Sequence, residues 1–128
     1  MHHLAMILAA LLLQAVDQIP ETNATRPYGG AYVTPAALPD LQACITDHFD
    51  NVGKVDVYRI ADGIVIDFLL RPLGLPSFSK PRIRLTVSDE GRQRRVTATY
   101  SRPMTAKSVG RQFRIFAKQC GGEAIDPS

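Results

Sequence analysis

At 128 residues, with 45% apolar and 21% charged side chains, the chain has the material for one compact domain with a real hydrophobic core. Its net charge of +3 is modest, so any electrostatic role has to come from how the charges are distributed and not from their sum. Only two cysteines and three histidines are present, and His2 and His3 lie at the very start, which excludes a multi-histidine metal centre in the folded part.

Residues Leu4 to Leu13 form an unbroken apolar run followed by Gln14-Ala15-Val16-Asp17. Such a run is short for a membrane-spanning helix and suits the hydrophobic part of an export signal. Residues 1–15 therefore read as a signal peptide, with cleavage after Ala15, or after Ala24 if Thr22-Asn23-Ala24 serves as the small-residue site. His2 and His3 stand where a Lys or Arg is usual, and an uncleaved leader would leave a membrane anchor instead. No cysteine follows the run, so lipid attachment is not indicated. The expected location is periplasmic or secreted.

Residues 16–38 read as a linker, because Pro20, Pro27, Gly29, Gly30 and Pro35 interrupt any periodicity. The folded domain is expected over residues 39–128. Its first element opens near Pro39-Asp40, where Leu41, Ile45, Phe49 and Val52 recur at helical spacing and Gly53 ends the turn. Cys44 and His48 flank that stripe, whereas Asp40, Asp47 and Asp50 lie away from it.

Two β-branched runs follow, Val55 to Ile60 and Ile64 to Leu70, separated by Ala61-Asp62-Gly63. Asp-Gly between such runs predicts a hairpin, with a type I′ turn as the expected geometry. A two-residue turn places Val55 and Val57 on the side of Ile66 and Phe68; a three-residue turn with a bulge would bring Tyr58 and Ile60 there instead. The connection Arg71 to Lys80 is longer than a hairpin needs, and its Leu73, Leu75 and Phe78 are candidates either for a partner contact or for a cover over the core.

In the next two segments, Ile83, Leu85 and Val87 alternate with Arg82, Arg84, Thr86 and Ser88, and Val96, Ala98 and Tyr100 alternate with Arg95, Thr97 and Thr99. That period of two predicts strands with one apolar and one polar face, joined at Asp89-Glu90-Gly91. The last element is a strongly amphipathic helix from a Thr105 cap to Gly121-Gly122. Its apolar stripe is Ala106, Val109, Phe113, Phe116, Ala117 and Cys120, and Lys107, Arg111, Arg114 and Lys118 fall opposite. The expected fold is α+β in the order α-β-β-β-β-α, a four-stranded antiparallel meander with both helices on its apolar face. Cys44 and Cys120 can then meet in a helix-helix disulfide, which an oxidising compartment permits.

Charge is uneven along the chain: Lys80 to Lys118 holds 11 basic and 2 acidic residues, and Val16 to Ser79 holds 4 basic and 8 acidic. A candidate anion-binding set follows from this, comprising Arg82, Arg84 and Arg95 on the sheet and Lys107, Arg111, Arg114 and Lys118 on the final helix. The competing reading pairs the sheet arginines with Asp56 and Asp67 on neighbouring strands and leaves the helix cations in water. The basic strands lack the interleaved aromatics that stack on nucleic-acid bases, and no sequence-specific nucleic-acid role is expected.

Catalytic signals are sparse. Cys44 and His48, four residues apart on one helix, could form a nucleophile and base, but a bridge to Cys120 uses the same sulfur. No phosphate loop, nucleophile elbow or Cys-x-x-Cys occurs, and no cofactor or metal is indicated. The expected role is non-enzymatic binding or structural support in the envelope, with electrostatic binding of an anionic surface or a polyanion through the basic sheet face and the final helix as the alternative.

Overall fold

The computed structural model describes residues 16–50, 53–70 and 81–128. The leader 1–15, Val52, and the connection bearing Leu73, Leu75 and Phe78 lie outside the described residues. The elements are β1 (Arg26–Pro27), β2 (Ala31–Thr34), α1 (Leu38–Asp50), β3 (Gly53–Ile60), β4 (Gly63–Leu70), β5 (Arg82–Asp89), β6 (Arg94–Tyr100), α2 (Ala106–Cys120) and β7 (Glu123–Ile125).

One antiparallel sheet runs in the order β3-β4-β5-β6-β2-β7, with β1 also paired to β6. The expected four-strand meander is β3-β4-β5-β6, with β3 at the edge of the sheet, and β2, β7 and β1 extend it beyond β6. Ile64, Ile66, Phe68, Ile83, Leu85, Val87, Val96 and Ala98 are buried on the same face, as their alternation requires. Leu41, Ile45 and Phe49 of α1 and Val109, Phe113 and Phe116 of α2 join them in one core, so both helices cover that face. Ala106, expected in the α2 stripe, is exposed; Gly110 is buried in its place, under the Tyr28 hydroxyl.

The segment 16–38 is no linker. It contributes β1 and β2, and Tyr28 and Tyr32 from it enter the core. Tyr32 pairs with Val96 on β6 and Ala124 on β7, and its hydroxyl donates to the Gly121 carbonyl at the end of α2. Tyr28 meets Phe113 edge to face at 5.2 Å between ring centres. These strands have two and four residues, too short for a repeat to show. Long-range pairing to β6 holds them instead.

The first hairpin takes the two-residue option, with Val55 opposite Phe68 and Val57 opposite Ile66. Its turn differs from the expectation. Ile60 pairs with Gly63, so the two loop residues are Ala61 and Asp62, and no non-glycine residue described has positive φ. A type I′ turn is therefore absent. Gly63 serves a different purpose: a side chain there would collide with the Val87 carbonyl on β5, and the missing Cβ lets the two strands pair through to the end.

α2 has the Thr105 cap expected of it, with reciprocal bonds between Thr105 and Ser108. It ends at Gly121, whose φ of 77° turns the chain into β7. Cys44 and Cys120 are bonded, with their Cα atoms 5.9 Å apart, tying the middle of α1 to the last residue of α2.

Candidate functional site

The sheet presents its second face opposite the helices, and residues 17–24 cross it. Asp17 holds this strap to the outer edge of β3: its N–H donates to the Arg59 carbonyl at 2.9 Å, and its Oδ2 accepts from the Arg59 N–H at 2.7 Å. That backbone N–H lowers the Asp17 carboxyl below its ordinary value, with the Arg59 side chain adding to the effect. Farther along, the Pro20 carbonyl accepts from Arg84 Nη2 at 2.7 Å, and Ala24 is buried.

Arg84 and Asp67 stand directly opposite each other on β5 and β4. They form a bidentate pair, Nε to Oδ1 at 2.6 Å and Nη2 to Oδ2 at 2.7 Å, with both side chains mostly covered. Bonding to Asp67 raises the Arg84 pKa further above its already high value. With its guanidinium bound to Asp67 and to Pro20, Arg84 fixes the strap and has little left to offer an anion. The groove beside it, about 180 Å³, has Glu21, Asp56 and Asp67 in its lining against Lys54 and Arg82, three acids to two bases.

The remaining proposed cations divide further. Arg95 meets Glu90, with both carboxylate oxygens 3.3 Å from its Nε, in place of the expected acids on neighbouring strands. Asp56 instead lies near Lys54 on β3, at 3.9 Å, with both side chains in good part open to water. Arg82 is exposed, and no ion pair involves it among the described residues. On α2, Arg114 approaches Asp126 at 3.6 Å, both largely in water, and such a pair is weak. Lys107, Arg111 and Lys118 are exposed without an ion pair among the described residues.

Two groups result, on opposite sides of the molecule. Arg82, Arg84 and Arg95 lie on the far face of the sheet, whereas the α2 residues point away from the core on the helix side. The structure therefore does not bring the seven together. It leaves Lys107, Arg111, Arg114 and Lys118, at i, i+4, i+7 and i+11, as one straight stripe about 16 Å long.

His48 packs between the helices: its Nε2 donates to Gln112 Oε1 at 2.8 Å, and its ring meets Phe49 and Phe116 edge-on at 5.1 and 5.4 Å. Cys44, one turn away, is bonded to Cys120 and has no thiolate to pair with it. A cleft of about 260 Å³ opens beside His48, walled by Phe49, Phe68, Leu70 and Met104.

One buried charge was not anticipated from the sequence. Arg94 shares the parity of Val96 and points inward, 8% exposed, where Nη1 donates to the Ala36 carbonyl at 3.1 Å and Nη2 to Gly91 at 2.6 Å. It clamps the entry to α1 against the β5–β6 loop. The alternation of β6, extended one residue back, carries that signal. Comparison with protein-family models, with known proteins and with solved structures found no match.

Proposed function

We propose that this chain is an exported domain, periplasmic or secreted, that acts by binding or structural support in the envelope and not by catalysis. The Cys44–Cys120 bridge carries the reading, because a bond of this kind persists where thiols oxidise and is rare where glutathione keeps them reduced. Consistent with it, the one cysteine-histidine pair has its sulfur committed to the bridge and its imidazole hydrogen-bonded to Gln112. The contacts of Asp17 and Pro20 favour processing after Ala15 over Ala24, since the later cut would remove both. Intact mass of the protein isolated from its native cell tests this: a chain beginning at Val16 and lacking two thiol hydrogens is expected. A cytosolic chain that keeps Met1 and two free thiols would overturn it.

A second reading is favoured by the α2 stripe, whose Lys107, Arg111 and Lys118 have no carboxylate partner among the described residues. Here the bound partner is an anionic membrane surface. Each lysine or arginine near such a surface contributes about 1 kcal/mol, so reversing all three in K107E/R111E/K118E is expected to weaken binding to phosphatidylglycerol vesicles on the order of a hundredfold or more. Arg95→Glu, on the far side of the sheet, is expected to leave it unchanged. Wild-type binding has to fall steeply as salt is added, and failure to sediment with vesicles at low salt removes this reading.

A further inference from the structure

β3 is the first strand of the sheet and pairs only with β4 among the described residues. In an antiparallel pair, alternate residues direct their N–H and C=O groups to the partner, and those between direct them outward. Ile60 and Gly63 close the hairpin, so Tyr58, Asp56 and Lys54 bond to β4, and Arg59, Val57, Val55 and Gly53 face out. Arg59 verifies the phase, because both its backbone groups are taken by Asp17 from outside the sheet. Past Arg59, the strap leaves this edge and crosses to Arg84, so Gly53, Val55 and Val57 present a short row of ladder groups. Such an edge is a template for another strand.

We infer that this edge pairs antiparallel with the same edge of a second copy, with Val55 on the two-fold axis. The side chains select both the occupant and the register. Centring on Lys54 or on Asp56 would set like charges directly opposite each other, which is destabilising. Centring on Val57 would need the backbone of Arg59, which Asp17 already occupies. Centring on Val55 places each Lys54 opposite the partner's Asp56, twice over by symmetry, and each Val57 opposite the partner's Gly53, where no side chain crowds it. The two charges lie on the same face, exposed, with side chains 64% and 46% accessible and only a 3.9 Å contact between them within one chain. Val55 and Val57, half-buried at the margin of the core, gain cover from their counterparts. The product is one continuous sheet across two chains.

Charge exchange tests this inference independently of export. The oxidised protein as purified is run in sedimentation velocity over about three decades of concentration, where mass action converts monomer to dimer. Lys54→Asp and Asp56→Lys are each expected to weaken association by roughly tenfold, since both cross-strand pairs become repulsive. The double variant K54D/D56K re-creates opposite pairs and is expected to restore it. Melting temperatures measured at the dilute end, where every chain is monomeric, are expected to be equal in all three and separate loss of pairing from loss of fold. A protein that stays monomeric throughout overturns the inference, as does a dimer indifferent to either single exchange or a double variant as weak as the singles.

Discussion

Replacing Cys44 and Cys120 together by alanine is expected to lower the stability of the domain by about 4 kcal/mol. The figure comes from the separation of 76 residues between the bonded sulfurs, because a cross-link stabilises chiefly by restricting the unfolded chain, and the restriction grows with the loop closed. Here the loop takes in the second half of α1, the four strands of the meander and α2, which together supply most of the core. For a domain of this size the loss corresponds to a fall in melting temperature of roughly 15 °C or more. Urea unfolding of the oxidised protein beside the double variant measures it. The same experiment reports on the unfolded state directly: the bridged chain cannot expand fully, so its dependence on urea should be shallower than that of the variant. A stability difference below about 1 kcal/mol, with equal slopes, would show that the reduced chain keeps the two helix ends together by other means.

How far the architecture could be read in advance depended on the length of each element. β5 and β6, with eight and seven residues, show a clear period of two, and α2 shows a clear helical one, so their inward faces were legible to the residue. Two helices known to share a face then bring Cys44 and Cys120 within reach. β1, β2 and β7, with two, four and three residues, have no room for a pattern. β1 and β2 form because β6 offers a second edge, β7 then adds to β2, and what locates them is Tyr32, wedged between β6, β7 and the end of α2. No local signal reports that placement.

The candidate site was legible in composition and illegible in pairing. The basic half of the chain is plain to see, yet whether an arginine is free depends on registers that differ by single residues. Arg84 falls opposite Asp67 because Ile66 falls opposite Leu85, and a slip of one position would have left both exposed to other partners. Arg95 finds Glu90 across a loop of four residues. On a helix, by contrast, the spacing of Lys107, Arg111, Arg114 and Lys118 is enough to align them, because geometry within one element does not wait on tertiary contacts.

Phe116→Ala is expected to cost about 3 to 5 kcal/mol, the range for an aromatic ring removed from a closed core. Phe116 is fully buried, and its ring lies within 6.1 Å, centre to centre, of Tyr32, His48, Phe49 and Phe113. These neighbours come from β2, α1 and α2, so the void would open where three elements meet and none can close it alone. Phe116→Leu leaves a smaller gap and is expected to cost less. The position also lies one helical turn before Cys120, on the stretch of α2 that the bridge pins to α1. With the bridge intact, the helix end stays in place and the variant should unfold cooperatively at lower urea. Without it, the two losses together reach on the order of 8 kcal/mol, within the total stability of 5 to 15 kcal/mol usual for a domain. Phe116→Ala in the cysteine-free background is therefore expected to lose its near-ultraviolet circular dichroism at 37 °C, while either change alone keeps it. Native-like dichroism in the triple variant would mean that the aromatic cluster and the bridge are not the two principal supports of the helix pair.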